Sequence, residues 1–222
     1  MTTFYLIRHG QTEWNREKRI QGQLDVKLSE RGREQALLVG QALQGEGIEL
    51  IYTSDLSRAL ETAAIIGRQL GIPVTGTLCD LREIHFGDWA GMSIAEIRTA
   101  EPEAFAKWQE DTVNQPVPGG ESFQMMAERV MKCVTDLAVK HPRSKVAVVT
   151  HGGPVTYILG TIMKLTLEQR LQLKIANCSI SIVQYQPRTD DWEVLQVNGT
   201  SHLDNEPILK QTRISDPPAG EE

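Results

Sequence analysis

Two stretches of the sequence, Phe4-Tyr5-Leu6-Ile7-Arg8-His9-Gly10 and Lys145-Val146-Ala147-Val148-Val149-Thr150-His151-Gly152, decide the fold class. Each contains an apolar run that favours strand structure, and such runs are typical of strands buried on both faces of a sheet. Each run leads into a histidine followed by a glycine. We therefore expect two buried strands of a mostly parallel sheet, each with a histidine just past its carboxyl end.

Helical periodicity and capping residues elsewhere in the chain complete an α/β pattern. Ser29 suits the N-cap of a helix that ends near Leu43, and Gly71 follows a predicted helix over residues 57–70. The other predicted elements are helices at 121–140 and 154–163, helical pieces within 93–118, strands at 48–52 and within 74–81, and a hairpin of 180–185 with 192–197. The pattern predicts a three-layer α/β/α sandwich with a mostly parallel mixed sheet, one antiparallel edge and a small helical cap.

Length, composition and charge exclude several classes of protein. A chain of 222 residues with 40% hydrophobic residues can bury a core without disulfide bonds. The net charge of −6 argues against nucleic acid as a partner, and the three widely spaced cysteines are typical of reduced thiols. We find no signal peptide and no apolar run of about 20 residues, so we expect a cytoplasmic protein without a membrane partner.

The sequence predicts one domain and a short tail. We assign residues 1–202 to a single domain with a cap insertion at about 93–120, and residues 203–222 to an acidic C-terminal tail. From Leu203 onward the chain contains three prolines and five acidic side chains, which predicts disorder or a strap over the surface. Whether the protein is a monomer or a homodimer stays open.

The predicted strands place two histidines where α/β sheets bind ligands. His9 and His151 each follow a strand, and ligands of open α/β sheets bind in the crevice outside the carboxyl ends of the strands. The glycine after each histidine lets the backbone approach a bound group closely. A lone histidine at such a position is more often structural, but two histidines in matching contexts favour a shared site.

Two arginines extend this candidate site toward phosphate chemistry. Arg8 directly precedes His9, and Arg58 lies early in the helix that follows the second strand. A helix N-terminus favours anions, and a guanidinium group adds a bidentate fork for phosphate. A surface ion pair of Arg58 with Glu61 or Asp55 is the alternative. Together with Arg8 and the histidines, a phosphate pocket is the better hypothesis.

Glu83 is the candidate proton donor. Its neighbours in the sequence include Ile84, Phe86 and Trp89. Partial burial among such side chains would favour the protonated carboxyl and allow it to donate a proton near neutral pH. A solvent-exposed glutamate without a role is an equally open alternative from the sequence.

These residues belong to a longer series in which the chain resembles the histidine phosphatase superfamily, in its phosphoglycerate mutase-like branch. The series begins with Arg8-His9-Gly10-Gln11-Thr12-Glu13-Trp14-Asn15 and continues with Gln21-Gly22. It then includes Ser54-Asp55-Leu56-Ser57-Arg58-Ala59, Leu81-Arg82-Glu83, Phe86-Gly87-Asp88-Trp89, Gly120-Glu121-Ser122 and Val149-Thr150-His151-Gly152-Gly153. The matches run in the family's order from about residue 3 to residue 185, and together they are highly specific.

The resemblance implies a role for each of these site residues. His9 would attack phosphorus and become a phosphohistidine, in its neutral form because Arg8 and Arg58 would lower its pKa. Glu83 would protonate the leaving alcohol and then take a proton from water. The residues that would bind the phosphoryl group are Arg8, Asn15, Gln21, Gly22, Arg58, His151 and Gly152. No metal or other cofactor is implied.

The resemblance leaves phosphatase and mutase activity to be distinguished. Mutases of the family usually carry an insertion rich in arginine, lysine and tyrosine that grips a carboxylate, whereas the span from Ser93 to Pro118 is short and has no tyrosine. We therefore favour a phosphatase that acts on small phosphomonoesters with broad specificity, and the physiological substrate stays open. The alternatives are a cofactor-dependent phosphoglycerate mutase, or a specialised phosphatase for a cobalamin-pathway nucleotide, a sugar phosphate or a phosphoglycerate derivative.

Two further classes of protein fit the sequence less well. A regulatory protein that has lost catalysis would be expected to lack His9, His151, Arg8 or Glu83, and all four are present. A metallohydrolase would be expected to show HxH or HExxH spacing, which the chain lacks, and arginines next to a metal ion would be repelled.

Overall fold

Six strands form one mixed sheet in this computed structural model, which describes residues 1–204. The strands are β1 (Thr2–Arg8), β2 (Leu50–Thr53), β3 (Gly76–Thr77), β4 (Lys145–Thr150), β5 (Ile180–Gln186) and β6 (Asp191–Gly199). Their order across the sheet is β3-β2-β4-β1-β5-β6. The first four are mutually parallel, and the β5–β6 hairpin adds antiparallel strands on the side of β1. The predicted mixed sheet with an antiparallel edge is confirmed.

Helices cover both faces of this sheet. The helices of the described residues are α1 (Glu13–Arg16), α2 (Glu30–Ala42), α3 (Ser57–Leu70), α4 (Ile94–Ala100), α5 (Pro102–Glu110), α6 (Phe123–Lys140), α7 (Gly152–Ile162) and α8 (Leu167–Gln172). Buried side chains of α2 and α3 share one hydrophobic cluster, and those of α6 and α7 share another. The sheet lies between these clusters, which confirms the three-layer sandwich.

Strand β1 shows why the centre of the sheet is apolar on both faces. Phe4 and Leu6 belong to the cluster with α6 and α7, whereas Tyr5 and Ile7 belong to the cluster with α2 and α3. All four side chains are almost completely buried. Because successive side chains of a strand point to opposite faces, only a continuous apolar run can occupy such a position.

The segment predicted as a cap contains α4 and α5, and α5 begins at Pro102. Proline is tolerated in the first turn of a helix, so it separates the two helices without breaking the second. A third hydrophobic cluster lies here, apart from the two sheet faces, and contains Trp89, Ile97, Phe105 and Val117. The predicted helical pieces are therefore present, although α5 already ends at Glu110.

Several boundaries differ from the sequence predictions. The strand expected within 74–81 has only the two residues of β3 and is followed by a 3-10 turn at Cys79–Leu81. Helix α7 begins at Gly152 instead of Pro154. The short helices α1 and α8 were not predicted, and each is held by a capping box rather than by an apolar face.

The first residue of the predicted tail, Leu203, packs against the domain. Leu203 is only 5% exposed and packs in the cluster with α2 and α3, after a 3-10 turn at Ser201–Leu203. His202 also donates from Nε2 to the carbonyl of Cys178 at 2.9 Å. The rest of the predicted tail, residues 205–222, lies outside the described residues. Within residues 1–204, no helix is both long and apolar enough to cross a membrane.

Candidate active site

The pairing of β1 with β4 brings the two predicted histidines together. Arg8 is in register with Thr150, so the residues that follow, His9 and His151, leave the sheet side by side. The backbone N–H of His9 donates to the carbonyl of Thr150 at 2.8 Å. The two imidazole rings are buried, and their centres lie 5.1 Å apart.

One nitrogen of His9 is held by the backbone. Nδ1 lies 2.7 Å from the carbonyl oxygen of Gly10, which can only accept a hydrogen bond. A neutral ring therefore carries its proton on Nδ1, and Nε2 keeps its lone pair. This is the tautomer that a histidine nucleophile needs.

Both rings are kept neutral by their surroundings. Burial is the largest cause that holds the pKa of His9 well below its usual range, and the cations Arg58 and Arg8 lower it further. The pKa of His151 is also held well below its usual range, first by burial and then by Arg58 and other neighbours. The expected effect of the arginines on His9 is present, but burial contributes more.

Arg58 is fully buried in the first turn of α3. Its Nη1 donates to the carbonyl of Leu24 at 2.8 Å, and its Nη2 donates to the carbonyl of Gly22 at 2.7 Å. Burial lowers the pKa of Arg58 to about 10, which still leaves the group charged at neutral pH. Two backbone carbonyls thus hold the buried guanidinium group. Among the described residues, no carboxylate lies within hydrogen-bond distance of it.

The alternative of a surface ion pair for Arg58 is wrong. Glu61 instead pairs with Arg33, at 2.6 Å, and Asp55 pairs with Arg82, at 2.5 Å. Both carboxylates that the sequence suggested as partners of Arg58 therefore pair with other, more exposed arginines.

Arg8 is the last residue of β1, and its side chain lies near His9. Its Nη1 donates to the carbonyl of Ile175 at 2.6 Å, which fixes one side of the guanidinium. Burial lowers the pKa of Arg8, while the negative charge of Glu83 acts in the opposite direction. Gly152 lies against this side chain, since a Cβ at Gly152 would sit 3.4 Å from Nε of Arg8.

Three buried nitrogens next to His9 have no hydrogen-bond partner within the part of the chain that the structure describes. They are Nε of Arg8, Nε of Arg58 and Nδ1 of His151. Leaving a buried polar group unpaired costs about 1–3 kcal/mol, so such groups are normally satisfied. A tetrahedral anion next to His9 would supply acceptor oxygens for these donors.

The carboxyl group of Glu83 lies against the first turn of α7, the helix that follows His151. Its Oε2 accepts from the backbone N–H of Gly153 at 3.2 Å, and its Oε1 accepts from the N–H of Ile84 at 3.0 Å. The carboxyl group is half-buried and close enough to Arg8 and Arg58 to influence both. The structure therefore brings Glu83 to the same pocket as the histidines.

An ion pair that the sequence did not single out holds the segment around Glu83. Arg129 pairs with Glu121 at 2.8 Å and donates from Nη1 to the carbonyl of Arg82 at 3.0 Å. Glu121 in turn accepts from the backbone N–H of His85 at 2.9 Å. Helix α6 thereby anchors the backbone on both sides of Glu83.

Gln21 and Gly22 take different positions in the site. Gln21 is 8% exposed, and its buried Oε1 has no partner among residues 1–204. Gly22 offers its carbonyl to Arg58, so its visible contribution is to position that cation. The unpaired Oε1 of Gln21 can accept a hydrogen bond but cannot donate one to a phosphoryl oxygen, whereas Gly22 acts on Arg58.

Asn15 is engaged in the loop after His9. Its Oδ1 accepts from the backbone N–H of Thr12 at 3.0 Å and closes a capping box at the start of α1. Asn177, which the sequence did not single out, donates from Nδ2 to the carbonyl of His9 at 3.0 Å and to Oδ1 of Asn15 at 3.2 Å. Because Asn177 lies in an irregular segment before β5, no periodicity or motif pointed to it.

No metal-binding cluster accompanies these residues in the described part of the chain. Among residues 1–204, no three histidine, cysteine, aspartate or glutamate side chains are grouped so that they could hold a metal ion. The positive charge next to His9 comes from Arg8 and Arg58.

Comparisons with known proteins show the family of the chain. The profile of the histidine phosphatase superfamily (branch 1) matches residues 4–200. A probable phosphoglycerate mutase of Salmonella typhi, GpmB, is 36% identical over 211 residues, which cover 92% of this chain and 96% of that protein.

Two solved structures are similar over almost their whole length. YhfR of Bacillus stearothermophilus has a TM-score of 0.82 and 33% identity, covering 92% of this chain and 100% of that one. A mycobacterial glucosyl-3-phosphoglycerate phosphatase, solved as a complex with VO3, has a TM-score of 0.78 and 33% identity, covering 89% and 99%.

A neutral histidine with a free lone pair beside buried, unpaired cationic donors is suited to an enzyme that transfers phosphoryl groups through histidine. The chain belongs to the histidine phosphatase superfamily, branch 1. This membership supports an activity of the phosphatase or mutase type on a phosphorylated small substrate.

Proposed function

We propose that this protein is a phosphatase that hydrolyses small phosphomonoesters through a phosphohistidine on His9. The observation that carries the proposal is the set of buried, unpaired nitrogens of Arg8, Arg58 and His151 next to the free lone pair of His9. Such a set of donors fits a phosphoryl group and leaves it exposed to attack by Nε2.

In the first step, Nε2 of His9 attacks phosphorus. A P–N bond forms while the P–O bond to the leaving alcohol breaks, and Glu83 gives its proton to the departing oxygen. Arg8, Arg58 and Nδ1 of His151 stabilise the charge on the three phosphoryl oxygens as transfer proceeds. Gly10 keeps the proton on Nδ1 of His9 throughout.

In the second step, water attacks the phosphohistidine. Glu83, now ionised, takes a proton from the water, a P–O bond forms, and the P–N bond to His9 breaks. Inorganic phosphate leaves, and Glu83 is again protonated. The same carboxyl group thus serves as acid and then as base, as in other two-step displacements. The arginines supply the neutralising charge, so the mechanism needs no metal ion.

The cap supports hydrolysis in preference to mutase activity. Its side chains Phe105 and Trp108 pack with Trp89 in a small apolar cluster instead of presenting paired arginines to a carboxylate. A mutase must hold a free acid next to the phosphohistidine and exclude water. Nothing in the cap offers the cationic clamp that this would require, so we favour water as the acceptor.

We assign the leaving group to a cavity that Gly153 lines. It has a volume of about 190 Å³, and it begins at Gly153, whose N–H holds the Glu83 carboxylate. Phe123 and Tyr157 stack in its wall with ring centres 5.2 Å apart, and Arg170 lies at the same cavity. This lining favours a compact, partly apolar alcohol.

A metal-free assay with a matched histidine control tests this function. Inorganic phosphate release is measured in the presence of a chelator, from 3-phosphoglycerate, sugar phosphates, nucleotides and an aryl phosphate. Wild type and His141→Ala should release phosphate, and His9→Ala should release none while keeping its circular dichroism spectrum. His141 is the control because it lies at the opposite end of the sheet, where its carbonyl accepts from Thr2.

Two results would contradict the proposal. A folded His9→Ala protein with near-normal turnover would exclude His9 as the nucleophile. No release from any ester, together with phosphoryl exchange between phosphoglycerates, would instead establish a mutase. A cytoplasmic location is predicted from the sequence, which leaves monomer and homodimer as alternatives.

A further inference from the structure

Ser54 is a buried hydroxyl residue beside His151 to which the two-step mechanism assigns no role. It directly follows β2, its side chain is fully buried, and its backbone N–H donates to the carbonyl of Val149 at 3.0 Å. Its Oγ lies 2.9 Å from Nε2 of His151, whose ring is also fully buried. The other ring nitrogen of His151, Nδ1, has no partner among the described residues.

A hydrogen-bond count decides which nitrogen of His151 carries the proton. Ser54 Oγ already accepts from the backbone N–H of Leu56, at 3.4 Å. Its own proton has one acceptor among residues 1–204, which is Nε2 of His151. If Nε2 were protonated, the buried hydroxyl proton of Ser54 would be left without an acceptor, and such a loss is unfavourable.

The surroundings of His151 allow the ring only one proton. The charged and titratable groups that act on it are Arg58, His9, Arg8 and Arg129, and all of them disfavour the imidazolium form, as burial does. A neutral ring that accepts from Ser54 at Nε2 must therefore carry its proton on Nδ1.

We propose that Ser54 is a positioning residue, whose hydroxyl donates to Nε2 of His151 and so fixes the tautomer that offers Nδ1–H to the phosphoryl group. In the opposite tautomer, a lone pair on Nδ1 would confront an anionic oxygen and repel it. The inference rests on the proposed function, since it assumes that the group bound next to His9 is a phosphoryl group.

The tautomer is measured directly by nitrogen NMR. Protein labelled with 15N at histidine is studied at neutral pH, and the His151 signals are assigned from their absence in His151→Asn. In the wild type, Nδ1 should give the signal of a protonated nitrogen and Nε2 that of an unprotonated one. An Nε2–H tautomer in the wild type would overturn the inference, whether or not the protein turns over any ester.

Variants at Ser54 test the consequence for binding and turnover. Ser54→Ala should weaken the affinity for orthovanadate by about tenfold or more, the usual effect of losing one charge-assisted hydrogen bond. It should lower kcat/KM by a similar factor. Ser54→Thr, which restores a hydroxyl, should recover most of both. A merely structural role would leave the nitrogen signals of His151 unchanged in Ser54→Ala.

Thr53→Val is the matched control. It removes a buried hydroxyl one residue away, which donates to the carbonyl of Ser54 and does not contact His151. This control should keep the Nδ1–H tautomer and the vanadate affinity. Equal losses in Thr53→Val and Ser54→Ala would overturn the inference. Absence of turnover in the wild type would contradict the proposed function, while the NMR result would still decide the tautomer.

Discussion

Gly153 lies where a side chain would collide with the proton donor. A Cβ at Gly153 would overlap Oε1 of Glu83, whereas a Cβ at Gly152 would meet Nε of Arg8 at an ordinary contact distance of 3.4 Å. Neither glycine has a positive φ, so the backbone at both positions accepts alanine. The two glycines of α7 thus differ in what an added methyl group would displace.

We predict that Gly153→Ala moves the Glu83 carboxylate and slows esters with poor leaving groups most. Those esters depend on protonation of the departing oxygen, whereas aryl esters with acidic alcohols depend on it less. The expected loss of kcat/KM is about 100-fold for an alkyl phosphate and much smaller for a nitrophenyl phosphate. Steady-state kinetics with both esters measures the difference. Equal slowing of both esters by Gly153→Ala would argue against Glu83 as the acid.

At the scale of single residues, the sequence predicted the members of the site better than their bonds. His9, His151 and Arg8 could be found because each lies at the end of an apolar strand. Asn177 could not be found, because it follows no periodic element. The tautomers of the histidines depend on partners such as Gly10 and Ser54, and such contacts become visible only when the chain is folded.

At the scale of elements, strong local signals gave the right boundaries. Helix α3 was predicted at its observed limits because Gly71 supplies a left-handed C-cap, and β4 because its apolar run is uninterrupted. Helix α8 has only six residues and none of them is buried, so it has no hydrophobic periodicity to detect. Its position against α7 nevertheless places Arg170 at the cavity that Gly153 lines.

The position of Arg170 predicts a preference for substrates with a carboxylate. Its guanidinium carbon lies 5.1 Å from the ring centre of Tyr157, and its Nε donates to the carbonyl of Leu165 at 3.1 Å. Among the described residues, no carboxylate pairs with it. Its terminal N–H groups are therefore available to an anionic substituent on the leaving group.

We expect Arg170→Gln to lower kcat/KM for 4-carboxyphenyl phosphate by about tenfold, the effect of one charge-assisted hydrogen bond. For the methyl ester of its carboxyl group, kcat/KM should be unaffected, because this ester lacks the carboxylate charge. Lys174→Gln, which removes a charge from an exposed neighbour, is the control for general electrostatic attraction. An equal effect of Arg170→Gln on the acid and the ester would exclude this subsite.

At the scale of the whole molecule, the sheet order is what assembles the site. The sequence predicted parallel strands and an antiparallel edge, but it gave no order, because the pairing of β1 with β4 depends on contacts between residues more than 130 positions apart. This pairing brings His9 next to His151, and β2 beside β4 brings Ser54 to the same edge. The charge of the site then comes from the fully buried Arg58 and from Arg8, whose Nε is buried.

Burying neutral histidines in a cationic site makes the stability of the molecule depend on pH. The pKa of His9 and that of His151 are lowered by folding, chiefly by burial, whereas in the unfolded chain both rings titrate near their usual value of about 6.5. Below that pH the unfolded chain binds protons that the folded chain does not. The free energy of unfolding must therefore fall as the pH falls, by about 1.4 kcal/mol per pH unit for each such histidine.

We predict that His9→Asn reduces this slope. Urea unfolding of the wild type between about pH 7 and pH 5 should show stability decreasing toward acid, and the variant should lose up to about 1.4 kcal/mol per pH unit of that dependence. His85→Asn, which alters an exposed histidine, should keep the wild-type slope. The absolute stability of His9→Asn is not the test, since the lost hydrogen bond to Gly10 shifts it at every pH. An unchanged slope in His9→Asn would mean that His9 takes up its proton over the same pH range in the folded protein as in the unfolded chain, so that its surroundings do not hold the ring neutral.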